Sequence, residues 1–446
     1  MNGINSLRAL VVGLGASGVA AAALLARQGY GITANDRRSA AELVDSLGKL
    51  PDGVVTLLGA HPNGLLDAVD LVVASPGVPW NLPLFEEARR RRIETIAEVE
   101  LAVRSMEGVP IVGVTGSNGK TTVTSLLGEI ARAAGLRVGV GGNIGTPASE
   151  IALAGGWDVV VLELSSFQLE GCTTLRPRVA LLLNLSPDHL DRHPSMTSYL
   201  AAKARIFAFQ EASDVAVLNA DDPALAGLAV ASRIVRFSLK DTAAEAHVAA
   251  GMLVLDGEPL LPRSELRLLG DHNVANALAA ALAASRLDVP RTAIAAALRD
   301  FQGLPHRHRI VAESGGVRWV DDSKGTNVGA TAAGLAGYPH GTVHLILGGL
   351  GKGQDFRDLR PATEGKLAGI YLIGEAAREI ADALQGVAPL ELCVTLDEAV
   401  RRAASRARPG DTVLLSPACA SFDQFTDYAH RGDEFARLAC GVAGGA

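Results

Sequence analysis

Ile111-Val-Gly-Val-Thr115-Gly116-Ser117-Asn118-Gly119-Lys120-Thr121-Thr122 decides the architecture of this 446-residue chain. Its apolar, β-branched start predicts a buried strand, the two glycines after it a tight loop, and the residues from Lys120 onward a helix. Backbone N–H groups of such a loop cradle phosphates, a lysine reaches the β and γ oxygens, and a hydroxyl at the helix start holds Mg²⁺. Gly116, Ser117, Asn118, Gly119, Lys120, Thr121 and Thr122 are therefore the expected ATP-binding residues. One departure is visible: the usual spacing puts the first glycine at Val114, and Gly113 stands one residue early. A strand feeding a phosphate loop and a helix belongs to an α/β protein with a parallel sheet.

Outward from this loop, short β-branched runs alternate with Ala/Leu-rich helical stretches. Expected strands are Ala9 to Val12, Gly31 to Ala34, Asp70 to Ala74, Pro110 to Val114, Asp158 to Leu164, Val179 to Asn184 and Asp214 to Asn219. Five more run from Arg309 to Ala312, Val317 to Val320, Thr342 to Leu347, Gly369 to Ile373 and Asp411 to Leu415. The pattern restarts near Glu98 and near Gly303, which predicts three α/β modules: 1–98, 99–303 and 304–446. The first and third read as Rossmann-like, and the central one as a phosphate-loop ATPase module with a parallel sheet.

Composition excludes several classes. Hydrophobic residues make up 48% and charged residues 20%, a soluble globular balance. The net charge is −7, with no basic block longer than Arg89 to Arg92, so a nucleic-acid partner is not expected. Cys172, Cys393, Cys419 and Cys440 form no C-x-x-C pair, which fits a reducing compartment. No apolar stretch reaches membrane-spanning length and no signal segment is visible, so a cytoplasmic protein without membrane insertion is expected. Only seven lysines stand against 34 arginines. In such a chain a retained lysine suggests chemistry that arginine cannot supply.

Further candidate sites sit at strand ends. Gly13-x-Gly15-x-x-Gly18 follows the first strand, with Asp36 closing the next, a diphosphate-binding pattern whose plain alternative is a helix-start turn capped by Asp36. Glu163 ends a buried strand beside the loop, where a Mg²⁺ ligand belongs. Asn184-Leu-Ser-Pro-Asp188-His189-Leu-Asp-Arg-His193 is dense in ligands; His193 reads as surface. Lys203 lies on an apolar helix and reads either as a surface lysine or, buried and neutral, as an amine able to take up CO₂ as a carbamate. Asn273 and Asn276 precede an alanine-rich helix, and Leu304-Pro-His306-Arg307 opens the third module. Asp322, Lys324 and Thr326, then Lys352, follow strands there, and Cys419 in Ser416-Pro-Ala-Cys-Ala-Ser421 reads as packing. Lys49, Lys240 and Lys366 read as ordinary surface positions. Two nucleotide-type sites are one too many for a simple NAD(P)-linked oxidoreductase. ATP activation of a carboxylate for attack by an amine suits the set better than that, or than a switch ATPase.

In one order the chain carries G-S-N-G-K-T-T, L-E-L-S-S-F-Q-L, N-L-S-P-D-H-L-D-R-H, L-P-H-R, D-D-S-K-x-T-N, G-G-x-G-K and S-P-A-C-A-S-F-D-Q-F. With these motifs it resembles the Mur ligases over essentially its full length, and the last motif with the first module points to the D-glutamate-adding branch. The resemblance implies a monomer using ATP and two Mg²⁺ sites, with UDP-MurNAc-L-Ala and D-glutamate as substrates, in peptidoglycan precursor synthesis. Lys120, Glu163, His189, Lys203 and Lys324 would be catalytic. Thr121 and Glu163 would hold one metal, and His189 with carbamoylated Lys203 the other. Asn276, Arg307 and Asp322 would surround the adenosine. Ala16, Ser17, Asp36, Arg37, Ser75 and Gly77 would contact the UDP moiety, and Asn143, Ser165, Asp188 and His189 would line the rest of that substrate's site. Thr326, Lys352, Ser421 and Tyr428 would meet D-glutamate.

Overall fold

A computed structural model describes residues 7–62, 64–188, 192–268 and 270–444. Three sheets follow one another along the chain. In the first, five parallel strands lie in the order Val55–Leu58, Gly31–Asp36, Arg8–Val12, Leu71–Ala74, Glu94–Ala97. The order reverses at Arg8–Val12, so a crevice opens at its carboxyl end. There Gly13 turns the chain, and Gly18 lets the helix Ala16–Arg27 lie against it: a Cβ at Gly18 would stand 1.8 Å from the Gly13 carbonyl oxygen.

Nine strands form the central sheet, with Ile111–Thr115 between Val179–Leu182 and Val159–Glu163. The expected parallel pairing holds from Val138–Gly142 across to Ala246–Ala249. Beyond it Met252–Leu255 and Glu258–Pro262 extend the sheet antiparallel, through turns at Ala250-Gly251 and Asp256-Gly257. All four turn residues have positive φ, the geometry of two-residue hairpin turns. Helix Asp271–Ser285 is buried nearly all round, as its uninterrupted Ala/Leu run over 277–284 requires. It packs beside helix Lys120–Ala133 over one apolar cluster.

The third sheet runs Arg309–Ser314, Val317–Asp321, Thr412–Leu415, Val343–Gly348, Leu367–Ile373, Leu390–Val394, parallel except for its first strand. Helix Tyr428–Gly444 closes the chain against it. Among the described residues no helix is long and apolar enough to cross a membrane.

Candidate active site

The phosphate loop leaves Thr115 at the sheet's carboxyl edge and enters its helix through Gly119, whose φ of +83° suits glycine. A Cβ there would also stand 2.4 Å from the Asn276 side-chain oxygen, so the helix carrying Asn276 approaches the loop closely. Cross-bonds fix the loop's shape. Asn118 N–H donates to Asn184 Oδ1 at 2.8 Å, Asn184 Nδ2 returns to the Asn118 carbonyl at 3.0 Å, and Ser117 Oγ donates to the Ser186 carbonyl at 3.0 Å. Lys120 Nζ donates to the Gly116 and Ser117 carbonyls at 2.8 and 2.9 Å. Burial lowers its pKa.

Around this loop lies a cleft of about 760 Å³, lined from two sheets. The central sheet supplies Ser117 to Thr121, Asn143, Glu163 and Asp188; the third supplies Lys324, Thr326, Asn327, Lys352 and Tyr428, with His306 and Arg307 between. Bonds cross the cleft: Arg307 to Thr121 Oγ1, Asn327 Nδ2 to Asp188 Oδ2 at 3.1 Å, and Lys352 Nζ within 3.8 Å of Asp188 Oδ1. Lys324 Nζ lies 3.8 Å from the Tyr428 ring centre, and burial brings its pKa down to about 8. A neighbouring cleft of about 400 Å³ is lined by Asn118, Gly119 and Asn273 together with Asn276, Arg307 and Asp322, the three residues expected around the adenosine. Burial pushes the Asp322 carboxyl up to about 7 despite its 2.7 Å bond from Ser416 Oγ.

Glu163 is 2% exposed; Asn143 Nδ2 donates to its Oε1 at 2.8 Å, and Oε2 is buried without a hydrogen-bond partner. That orphaned oxygen beside Lys120 and Thr121 fits a hard cation. Among the described residues no group of three or more His, Cys, Asp and Glu forms a metal cage, and Mg²⁺ at nucleotide sites needs none, since phosphates and water complete its shell. Lys203 is 1% exposed, its Nζ donating to the Gly116 carbonyl at 2.8 Å and lying 4.4 Å from the Tyr199 ring centre. Burial, with Lys120 nearby, holds its pKa well below the ordinary range. The expectation at His189 lies outside the described residues.

At the first sheet a cleft of about 630 Å³ is lined by Ala16, Ser17, Asp36, Arg37, Ser75 and Gly77, and reaches Gly142 and Asn143. Asn143 belongs to both large clefts and joins them. Asp36 carries a structural bond as well: Leu14 N–H donates to it at 2.7 Å and Arg38 pairs with it at 2.7 Å. Burial raises its pKa, but these bonds outweigh that and hold the carboxyl far below the usual range.

Some expectations are corrected. His193 is buried at 4% exposure, because its Nε2 meets Ser166 Oγ at 2.9 Å and its ring stacks on Phe167. Ser165 caps helix Ser166–Glu170 and lines none of these clefts. Ser421 is 2% exposed and lines none of these clefts. Lys240 is exposed but borders the 400 Å³ cleft that Asn276 and Asp322 line. Cys419 packs as expected, its thiol pushed up to about 12 by burial. Asn327, a motif residue with no role assigned from sequence, spans the cleft; an asparagine capping a helix after a strand end is its signal.

Three α/β sheets, a phosphate loop and a lysine-bearing cleft between two of them define a nucleotide-dependent group-transfer enzyme. Residues 114–284 match the Mur ligase middle domain, 306–419 the Mur ligase glutamate ligase domain, and 7–97 the MurD-like N-terminal domain of Mur ligases. The chain belongs to the Mur ligase family and is a ligase. It is 48% identical to the UDP-N-acetylmuramoylalanine–D-glutamate ligase of Anaeromyxobacter dehalogenans and 46% identical to that of Myxococcus xanthus, covering 98% of each and 98% of itself. Its fold is similar to the MurF ligase of Thermotoga maritima in complex with ADP, with a TM-score of 0.62 at 17% identity over both full chains.

Proposed function

We propose that this chain joins D-glutamate to UDP-N-acetylmuramoyl-L-alanine with hydrolysis of ATP to ADP and phosphate, in cytoplasmic peptidoglycan precursor synthesis. The carrying observation is the cleft in which a phosphate loop from one sheet faces Lys324, Thr326, Lys352 and Tyr428 from another, continuous through Asn143 with a cleft at the first sheet's glycine turn. The names of the relatives support the amino acid and its acceptor.

In this reading residues 1–98 hold the UDP moiety through Ala16, Ser17, Asp36, Arg37, Ser75 and Gly77. Residues 99–303 hold ATP on Gly116 to Thr122 and Asn276, with Arg307 and Asp322 closing over the adenosine. Residues 304–446 present Thr326, Lys352 and Tyr428 to D-glutamate. Mg²⁺ held by Thr121 and Glu163, and by His189 with carbamoylated Lys203, would neutralise phosphate charge when bound. A neutral, buried Lys203 amine can add to CO₂, forming an N–C bond and releasing a proton, which turns a cation into a carboxylate-like ligand. The substrate carboxylate attacks the γ-phosphorus and ADP leaves. The D-glutamate amine then attacks the acyl phosphate, and the tetrahedral adduct expels phosphate. Lys120, Arg307 and Lys324 surround the transferring group with fixed positive charge.

ADP release should require D-glutamate and UDP-N-acetylmuramoyl-L-alanine together; turnover indifferent to D-glutamate would sink the proposal. UDP rather than NAD(P)⁺ should raise the thermal midpoint. Lys203→Arg should cut turnover on the order of 10²–10³-fold although charge is kept; full activity would return Lys203 to a packing role.

A further inference from the structure

His306 is built into the cleft with more constraint than a lining residue needs. Its backbone holds φ +61°, a left-handed conformation that histidine rarely adopts, and its carbonyl accepts from Lys324 N–H at 3.0 Å. Its Nδ1 meets Asp321 Oδ2 at 2.7 Å, and Asp321 is 1% exposed with its other oxygen taken by Ser323 N–H at 2.9 Å. Helix Tyr428–Gly444 passes this pair at Gly432, where a Cβ would stand 2.2 Å from His306 Nδ1 and 2.8 Å from Asp321 Oδ2. Any side chain at 432 would push the pair apart. A buried carboxylate accepting from Nδ1–H fixes one tautomer and leaves the lone pair on Nε2. The exposed Asp433 lies 3.7 Å from that edge, and the His306 side chain keeps 13% exposure.

D-Glutamate arrives with a protonated amine, which has no lone pair for attack. Among the described residues lining the cleft, the nearby cations Lys120, Arg307, Lys324 and Lys352 are poor acceptors; Lys324, though burial brings it down to about 8, still holds its proton for the most part at pH 7 and lies on the Tyr428 ring, whose face favours the charged form. Asp188 is engaged by Asn327 and Lys352; Glu163 accepts from Asn143 at Oε1, and its orphaned Oε2 is the oxygen assigned above to the cation.

We propose that His306 is the general base that takes a proton from the D-glutamate ammonium, with Asp321 as the positioning residue that sets its tautomer. This rests on the ligase reading above. The N–H bond breaks, the proton goes to Nε2, and the freed nitrogen pair forms the C–N bond to the acyl phosphate carbon. Collapse of the adduct breaks the C–O bond to phosphate, which carries off the second amine proton. The imidazolium, flanked by Asp321 and Asp433, then returns its proton to solvent.

Hydroxylamine separates base catalysis from everything else, because it is a neutral nucleophile at pH 7 and traps an acyl phosphate as the hydroxamate without a base. His306→Asn tolerates the left-handed backbone and keeps a donor toward Asp321. It should lower D-glutamate coupling by about 10²–10⁴-fold and leave ATP-dependent hydroxamate formation from UDP-N-acetylmuramoyl-L-alanine unchanged. Asp321→Asn, whose amide would donate to Nδ1 and move the proton to Nε2, should show the same selective loss. Parallel loss with both nucleophiles in both variants would make the pair structural and overturn the proposal, as would unimpaired D-glutamate coupling in His306→Asn. A wild-type enzyme that releases no ADP with D-glutamate would overturn the ligase reading, and the base with it.

Discussion

The two junctions in this molecule are made of opposite materials. Between the first and central sheets a single apolar cluster runs through, combining Val11, Leu24, Leu25, Val73 and Ile96 with Ile151, Val160, Leu162 and Leu182. Trp80 seals it, donating from Nε1 to the Phe167 carbonyl at 2.7 Å with its ring against Gly171. Between the central and third sheets the contacts are polar: Arg307 to Thr121, Asn327 to Asn118 and Asp188, Lys352 to Asp188, and His272 to the Ala333 carbonyl. The apolar clusters of the third unit are separate from those of the other two. One junction is therefore a piece of core, costly to open, and the other is an assembly of reactive groups that can part and re-form.

Mutations at the two should separate activity from stability. Arg307→Ala, at the polar junction, should lower the rate of ADP formation about 10²–10³-fold with little change in thermal midpoint; a large fall in midpoint would mean that this junction also carries the fold. Leu25→Ala, in the shared core, should cost about 2–5 kcal/mol. In calorimetry it should lower one transition common to the first and central sheets and leave that of the third in place. Three independent transitions would break the comparison.

Glu98 sharpens it through pH. It is 1% exposed, accepts from Ser149 N–H at 2.6 Å, and burial pushes its carboxyl up to about 7 from an ordinary 4.5. The folded state thus binds a proton that the unfolded state releases. Its contribution is fully present below about pH 4.5 and is lost as pH rises through about 7, on the order of 3 kcal/mol. Glu98→Gln should flatten the decline in midpoint between pH 5 and 8, and an unchanged slope would refute the shift. A smaller effect is expected in thiol labelling: Leu25→Ala should hasten modification of Cys172, inside the shared core, without altering Cys419 in the third unit.

Much of this was legible because it is local. The phosphate loop, Glu163 at a strand end and the β-branched central strands each announce themselves within a dozen residues. Edge strands did not: Val55–Leu58 and Leu390–Val394 are half-exposed and lack a clean alternation, and the hairpin strands from 246 to 262 are short. Asp256-Gly257 was a readable turn signal for the latter. His193 was misread as surface because its partners, Ser166 and Phe167, come from another strand end, and nothing in its own neighbourhood announces them. The His306–Asp321 pair was hidden for the same reason, each residue lying in a separate polar motif that announces a candidate site but not its partner.

Since the glycine turn at Gly13 and the phosphate loop at Gly116 hang from one continuous core, the span between them does not adjust to its occupant. The molecule is in effect a gauge. An acceptor anchored in the first cleft presents its carboxylate to the γ-phosphate only if its length matches that span, so selection among acceptors that share one anchor and differ by a residue is made by distance, before any group reads the extra residue itself.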